Sequence, residues 1–207
     1  MKSYSIIRGE EYKKLSQLEL DGNILDVGGS KHSKYHQLIK GKNKFTVINL
    51  DKNCEPDFFV NIEKKFPFKD GQFDHAICLN VLEHVYEFEH VISEQLRCIK
   101  PNGSIVIATP FMYHIHGSPD DYMRYTASAY RRVAEKLNCT ISRIDPIGYG
   151  FFSLGSQCTG EALPTNILRT VVRSTAIFLD KSLNKISKKY RKLTNRIPLG
   201  YFVVLQK

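Results

Sequence analysis

The chain of 207 residues lacks several features that would define its class at once. It has no apolar run of the roughly eighteen residues that a membrane-spanning helix needs, so no such helix is predicted. Its first fifteen residues hold no apolar stretch typical of a secretory signal peptide, and we expect none there. The five cysteines form no CxxC pair and their number is odd, which predicts free thiols in a reducing, cytoplasmic compartment. No internal repeat or low-complexity segment is present. With 42% hydrophobic and 25% charged residues, the composition is that of a globular protein.

Positive charge is concentrated near the C-terminus. The net charge is +9, and residues 169–196 hold nine Lys or Arg against the single acid Asp180. From Leu168 to Leu193 apolar residues recur in steps of three and four, which predicts an amphipathic helix with a basic opposite face. Three interpretations of this helix stay open: a solvated helix packed on the domain, a helix that lies on an anionic membrane surface, and a contact with a protein partner. Nucleic-acid binding is disfavoured because no recognised binding module or basic–aromatic interleaving accompanies the charge.

Residues 23–30, Asn-Ile-Leu-Asp-Val-Gly-Gly-Ser, are the stretch around which the chain is organised. An apolar run flanked by glycines predicts a buried strand over 23–27. Gly28 and Gly29 allow a tight turn and a close approach of a ligand to the backbone. Asp26 would be costly to bury without a donor, so we expect a partner in the protein or on a ligand. The pattern indicates a cofactor site.

Strands and helices then alternate along the chain. Helices are predicted over 10–20, from Ser30 or Ser33 to Lys40, and over 87–99 and 127–137. Strands are predicted at 23–27, 45–50, 58–62, 75–79, 104–109, 139–145 and 199–205. The alternation predicts an α/β fold with a doubly wound, mostly parallel seven-stranded sheet. We expect a single domain: an N-terminal helix (1–21), a cofactor-binding core (22–150), a helical insertion (151–196) and a last strand (197–207).

An acid follows the second predicted strand. Asp51 lies 23 residues after Gly28. In dinucleotide-type folds this position faces ribose hydroxyls, and a carboxylate can accept from both of them. The alternative is that Asp51 is only a turn residue.

Four motifs together resemble the class I S-adenosylmethionine-dependent methyltransferases over roughly residues 20–150 and the last strand. They are ILDVGGS, the acid of VINLD, FPFKDGQFDHAICLNVLEHV and LRCIKPNGSIVIATP, in the family's order and spacing. The third motif is similar to the small-molecule branch, which includes quinone-pathway O-methyltransferases. The later HGSPDDYMRYT is similar to methyltransferases of surface-polysaccharide biosynthesis.

The resemblance implies S-adenosylmethionine as the cofactor and assigns positions to it. Asp26 would receive its amino-acid end, with Gly28 and Gly29 beside the methionine moiety. Asp51 would bind the ribose. The adenine would lie beside Asn61 and Ile62. The methyl group would lie beside Leu79 and Asn80. Ser30 departs from the family's D-x-G-x-G pattern and places a side chain, with a hydroxyl to offer, beside the cofactor. A nicotinamide dehydrogenase is disfavoured because its G-x-G-x-x-G motif would need glycine where Ser33 stands.

Methyl transfer to a hydroxyl benefits from a base, and His84 is the candidate, with Glu83 or another acid to orient it. The alternative is that His84 only caps or packs a helix. The loop after the fifth strand is expected to cover and select the acceptor. Its candidate contacts are His114, His116, Tyr122, Arg124 and Tyr125. Arg124 has a salt bridge to Asp120 or Asp121 as its alternative role. A metal held by His114, His116 and these two acids is disfavoured for lack of a tight ligand pattern, and no metal is predicted.

These observations predict a cytoplasmic methyltransferase that acts on a small-molecule, sugar or lipid-linked acceptor, most often at oxygen. The 168–193 helix is its candidate contact with an anionic membrane surface. The alternative is a non-catalytic binding or scaffold protein that retains the fold, since a fold does not fix the chemistry.

Overall fold

The computed structural model describes residues 4–117 and 119–207 and contains one seven-stranded sheet. The strand order is β3-β2-β1-β4-β5-β7-β6. The strands are β1 (Gly22–Val27), β2 (Asn43–Asn49), β3 (Phe58–Phe59), β4 (His75–Leu79), β5 (Ser104–Pro110), β6 (Thr140–Ile147) and β7 (Gly200–Gln206). Within β3-β2-β1-β4-β5 every pairing is parallel, whereas β7 runs antiparallel to both β5 and β6. The predicted doubly wound, mostly parallel sheet is therefore confirmed.

Alternate residues of the central strands point to opposite faces and build two cores. Leu25 of β1 and Cys78 of β4 belong to one buried cluster, while their neighbours Ile24 and Ile77 belong to the other. Because both faces are covered, the strands read as nearly continuous apolar runs rather than as alternating ones. This is why the strands of the sheet's centre were readable from the sequence.

Helices cover both faces of the sheet. They are α1 (Ile6–Leu15), α2 (Phe88–Cys98), α3 (Ala127–Lys136), α4 (Phe151–Thr159), α5 (Asn166–Ile186) and α6 (Lys188–Thr194). Short 3₁₀ helices lie at Lys34–Gln37, Lys52–Cys54, Leu82–His84 and Gly160–Ala162. Residues of α2 and α3 pack in the first core, and residues of α1 pack in the second together with Leu154 of α4 and Ile177 of α5.

The predicted helix from Ser30 or Ser33 to Lys40 is wrong. This segment holds only the 3₁₀ helix Lys34–Gln37. The Ser30 hydroxyl accepts from the His32 amide and the Ser33 hydroxyl accepts from the Ser30 amide, bonds that compete with helical ones. Lys40 instead exchanges backbone hydrogen bonds with Leu18 and Leu20.

Two other boundaries differ from the prediction. The third strand covers only Phe58–Phe59 rather than 58–62, because the Asn61 side chain accepts from the Glu63 amide and turns the chain. The first helix covers Ile6–Leu15 rather than 10–20. Its N-cap is Ser5, whose hydroxyl accepts from the Arg8 amide at 3.2 Å.

Between β6 and β7 the chain forms the helices α4, α5 and α6. The continuous helix predicted over 168–193 is interrupted at Ser187, which is extended and whose hydroxyl accepts from the Tyr190 amide to cap α6. Asp180 anchors α5, because its buried carboxylate accepts from the amides of Phe152 and Ser153 at the start of α4. No helix among residues 4–117 and 119–207 has the length and apolar character needed to span a bilayer.

Candidate active site

A cleft of about 340 Å³ opens at the carboxyl ends of β1, β2 and β4. The strand order of the sheet reverses between β1 and β4. In doubly wound sheets, ligands bind at the carboxyl ends of the strands beside such a reversal. The volume lies within the range of small-molecule sites. The cleft is lined by Gly28, Asn49, Leu50, Asp51, Cys54, Asn61, Ile62, Glu63, Asn80, Val81, His84, Val85, Pro119, Asp120 and Tyr122.

Asp51 is exposed at the mouth of this cleft. Its carboxylate caps the 3₁₀ helix Lys52–Cys54, and Oδ1 accepts from the amide and the side chain of Asn53, each at 2.9 Å. The predicted Asn61 and Ile62 line the same cleft, and Leu50 adds a second apolar side chain. The structure therefore brings together two apolar side chains and an exposed carboxylate with capacity left to accept from hydroxyls.

Asp26 lies below the turn rather than in the cleft lining. It is completely buried; Tyr35 donates to its Oδ2 at 2.8 Å, and the same oxygen lies 2.7 Å from His36 Nε2. Its Oδ1 has no hydrogen-bond partner among the described residues. Burial raises the pKa of this carboxyl, while His36 and Tyr35 act in the opposite direction. The donor expected for Asp26 is thus found within the protein, and one oxygen remains without one.

The glycine turn is held from the side by a residue that the sequence analysis did not single out. Asn49, the last residue of β2, donates through Nδ2 to the carbonyls of Gly28 and Gly29, at 3.0 and 2.7 Å. Of the turn residues, Gly28 lines the cleft, whereas Gly29 and Ser30 do not. The asparagine at the end of the second predicted strand was the sequence feature that could have indicated this contact with the glycine turn.

The two residues predicted near the methyl group, at the end of β4, lie in different environments. Leu79 packs against the core on the α1 side of the sheet. Asn80 lines the cleft with a left-handed backbone (φ 55°), and its Nδ2 donates to Oε2 of the buried Glu11 at 3.1 Å. Asparagine tolerates this region better than most side chains, and Asn102 and Asn138 adopt it too. Glu11 had no recognisable signal in the sequence, because its partner comes from a distant strand.

His84 lines the cleft at its far end, within the 3₁₀ helix Leu82–His84. Its Nδ1 lies 2.6 Å from the Asp120 carbonyl oxygen, which can only accept, so Nδ1 carries the proton. Its Nε2 lies 3.7 Å from Oε1 of Glu83, and Nε2 of His116 lies 4.0 Å from the same oxygen. Burial raises the pKa of the Glu83 carboxyl to about 8.

The loop after β5 is tied to this cluster. The Glu83 carbonyl accepts from the amides of Tyr122 and Met123, at 2.8 and 3.3 Å. Tyr122 lines the cleft, and its hydroxyl donates to Asp120 at 3.0 Å. The loop therefore closes over the cleft at the end where His84 lies.

The remaining predicted acceptor contacts take other positions. Arg124 binds the Asp121 carboxylate through both terminal nitrogens and also donates to the His114 carbonyl, so the alternative salt-bridge role is the one observed. This pairing holds the pKa of Asp121 well below its usual range. Tyr125 is buried in the core and donates to the Leu82 carbonyl at 3.0 Å. Its ring is thus not exposed to an acceptor.

A sequence model of the methyltransferase domain family matches residues 7–143, about two thirds of the chain. The chain belongs to this family, and the predicted class I methyltransferase fold and the S-adenosylmethionine cofactor are confirmed at this level. Within the class, the narrower small-molecule branch stays a prediction.

Solved structures share the fold at low sequence identity. A SAM-dependent methyltransferase from Aquifex aeolicus is 16% identical, with a TM-score of 0.53 over 70% of this chain and 86% of that one. An S-adenosylmethionine-dependent methyltransferase from Mesorhizobium loti is 13% identical, with a TM-score of 0.58 over 96% of both chains. Phosphoethanolamine N-methyltransferase 2 from Haemonchus contortus, in complex with S-adenosyl-L-methionine, is 14% identical. Its TM-score is 0.58 over 94% of this chain and 50% of that one.

The residues of the cleft fit this cofactor. The apolar side chains of Leu50 and Ile62 in the cleft lining suit a purine base, and the Asp51 carboxylate suits the two ribose hydroxyls. Asn80 lines the cleft near its other end, and the buried Glu11 behind it accepts from Asn80 Nδ2. When bound, S-adenosylmethionine supplies an electrophilic methyl group, and the protein's task is to place and activate an acceptor.

Proposed function

We propose that this enzyme transfers the methyl group to a hydroxyl oxygen of its acceptor. The observation that carries this proposal is the geometry of His84. Because Nδ1 donates to the Asp120 carbonyl, Nε2 holds a lone pair at the end of the cleft. A hydroxyl nucleophile needs to lose its proton as it attacks, and an imidazole lone pair suits that task. His84 is the candidate catalytic residue.

A second, smaller pocket of about 130 Å³ adjoins the cleft at Asn80 and is the proposed entry of the acceptor. It is lined by Ser5, Ile7, Arg8, Asn80, Pro110, Tyr113 and His116. Asn80 lines both spaces, so an acceptor in this pocket lies next to the far end of the cleft. The Arg8 guanidinium favours a carboxylate or phosphate on the acceptor. Sugar phosphates and lipid-linked sugars combine such an anion with free hydroxyls.

The helices of the insertion support a lipid-linked acceptor. Ile167, Val171 and Phe178 lie on one side of α5 and are 78%, 56% and 68% exposed. Val171 borders the same cavity as the exposed Phe151 and Phe152 of α4, and we call these five side chains the α5 surface. Exposed lysines follow it along the chain, namely Lys181, Lys185, Lys188, Lys189 and Lys192. This combination is typical of helices that lie in the interface of an anionic membrane.

The α5 surface is also connected to the acceptor pocket. Arg173 of α5 donates to the backbone carbonyl of Tyr4, beside the start of α1, where the N-cap Ser5 and the helical Ile7 and Arg8 line that pocket. A membrane bound at α5 would thus bring a lipid-linked head group close to the pocket.

The test is methyl transfer from labelled S-adenosylmethionine to sugar phosphates and lipid-linked sugars, with matched amino sugars as competing acceptors. We expect label on oxygen, and His84→Gln should lower kcat by about 10²- to 10⁴-fold while cofactor affinity stays within a few fold. Transfer only to nitrogen, or an unchanged kcat in the variant, would contradict the proposal. Cofactor binding without transfer to any acceptor is the result expected of a scaffold protein.

A further inference from the structure

Glu83 is a completely buried acid that lies beside His84 and His116. Its side chain is completely inaccessible to solvent, and neither carboxylate oxygen has a hydrogen-bond partner among the described residues. A buried carboxylate in this state is costly, because the charge has lost its hydration and its oxygens accept no hydrogen bond from the described residues in return. Protonation would remove the charge but leave the new hydroxyl without an acceptor. Such a group indicates that something else binds here.

Two histidines face this carboxylate. Nε2 of His84 and Nε2 of His116 lie 3.7 and 4.0 Å from Oε1 of Glu83, and one ligand atom from each of the three residues lies within 4.8 Å of the others. Ligand atoms around a tetrahedral Zn²⁺ are roughly 3.4 Å apart, given metal–ligand distances of about 2.1 Å. Small side-chain rotations would close the remaining difference.

The Nδ1 atom of each histidine ring already has a contact with a backbone carbonyl oxygen. His84 Nδ1 donates to the Asp120 carbonyl at 2.6 Å. His116 Nδ1 lies 3.3 Å from the His114 carbonyl oxygen and 3.4 Å from Oδ2 of Asp121, whose position is fixed by Arg124. A metal-binding histidine almost always donates its other ring nitrogen to a carbonyl or a carboxylate. Both rings therefore present Nε2 to Glu83 in the orientation that a metal site requires.

We propose that Glu83, His84 and His116 bind one divalent transition-metal ion, of the kind that two imidazoles and one carboxylate select, with Zn²⁺ the best match. Three protein ligands leave a position open, as in catalytic zinc sites. His84 lines the cofactor cleft and His116 lines the acceptor pocket, so the open position lies where the two spaces meet.

This inference rests on the proposed function and specifies how the acceptor is activated. A hydroxyl bound at the open position has a lowered pKa and releases its proton to solvent water. Its oxygen then forms a bond to the methyl carbon while the carbon–sulfur bond breaks, and the electron pair of that bond stays on sulfur. His84 is in that case a metal ligand that positions the hydroxyl rather than the base itself.

The experiment uses the full chain freed of metal with a chelator. Calorimetric titration with Zn²⁺ should show one equivalent bound with submicromolar Kd, and Co²⁺ should give the visible absorption of a four- or five-coordinate ion. Glu83→Gln and His116→Gln should each weaken Zn²⁺ binding at least 100-fold. Asp121→Asn, which leaves the ligands in place, should weaken it about 10- to 100-fold. His32→Gln is the matched control and should bind as the wild type does, since His32 pairs with Glu55 on the exposed surface.

Failure of Zn²⁺ to bind in stoichiometric amount would overturn the metal site, and so would equal binding in Glu83→Gln and His116→Gln. His116→Gln changes a loop residue, so it tests the site even if Glu83→Gln does not fold. Methyl transfer to oxygen that continues in excess chelator overturns the metal proposal but leaves the proposed function intact. Metal binding without any methylation of hydroxyl acceptors would support the metal site and overturn the proposed function.

Discussion

The carboxylate of Asp26 lies directly against the Cα of Gly29, so that a Cβ on residue 29 would stand 2.0 Å from Oδ2 of Asp26. Residue 29 therefore has to be glycine for the buried Asp26 carboxylate to fit beneath the turn. Gly28 has a different constraint: its φ is +76° and a Cβ would meet the Val81 side chain at 2.5 Å. The two glycines pack the turn onto β1 and onto the segment after β4, and this sets the position of the cleft floor.

Gly29→Ala should displace Asp26 and deform the turn. We expect a loss of about 2 kcal/mol of stability from overpacking and a drop in S-adenosylmethionine affinity of at least tenfold. Ser30→Gly is the matched control, because Ser30 is not among the residues that line the cleft and its hydroxyl accepts from the nearby His32 amide. Calorimetric titration of both variants measures the contrast. Equal affinities would show that the turn does not hold the cofactor.

Asp51→Ala should lose most of the cofactor affinity without unfolding the protein, since the side chain is exposed. Hydrogen bonds to a charged acceptor contribute about 1.5–3 kcal/mol, which corresponds to roughly a 10- to 150-fold higher Kd. Glu55→Gln changes an exposed acid four residues away and should leave Kd unchanged. An unchanged Kd in Asp51→Ala would remove the ribose assignment.

Arg97 is expected to fix the connector before β4. Its guanidinium binds both oxygens of Glu94 and donates to the carbonyls of Phe66 and Phe68. Arg97→Ala should therefore cost about 3 kcal/mol in the free energy of unfolding, because the nearly buried Glu94 carboxylate loses its guanidinium partner and keeps the hydrogen bond from the Phe66 amide. Arg132→Ala is the control, since its ion pair with Glu135 is fully exposed to solvent and should change stability by under about 0.5 kcal/mol.

The ion pair between Arg97 and Glu94 predicts that the free energy of unfolding depends on pH. Arg97 holds the pKa of Glu94 below its ordinary value of 4.5, so the folded state binds fewer protons than the unfolded state. The stabilisation is thus present above pH 4.5 and is lost as the pH falls through the lowered pKa. Urea unfolding at several pH values should show the difference between wild type and Arg97→Ala shrinking in acid. A difference that grows in acid would contradict the assignment.

Flotation with vesicles tests the α5 surface. The wild type should float with vesicles rich in anionic lipid, and Phe178→Ser combined with Ile167→Ser should reduce the bound fraction at least tenfold. Phe59→Ser, which changes an exposed aromatic residue on the edge strand β3, should bind like the wild type. Binding should also weaken in high salt. Equal flotation of all three proteins would exclude this surface as the membrane contact.

The sheet was predictable because its strands carry enough local information. Apolar runs bounded by glycine or by Pro101-Asn-Gly103 identified the central strands, and these strands place Asp51, Asn61 and Asn80 at one edge. The segment after β1 was not predictable in this way. There the hydroxyls of Ser30 and Ser33 compete with helical bonds, and the side chains of Tyr35 and His36 turn towards Asp26.

Contacts between distant segments account for the rest. His84 and His116 are 32 residues apart, and only the folded loop brings them to the same carboxylate. Tyr125 belongs to a polar loop motif, yet its ring is buried beside Phe88 and Tyr130. The sequence pattern indicated that the loop lies at the site, but it could not show which side chains face the cleft.

The central claim is that the cleft at the ends of β1, β2 and β4 binds S-adenosylmethionine. Calorimetric titration of the wild-type protein with S-adenosylmethionine, repeated with S-adenosylhomocysteine, tests it most directly. We expect one molecule of either ligand to bind per chain, with Kd in the micromolar range. Absence of binding to a protein shown by circular dichroism to be folded would contradict it.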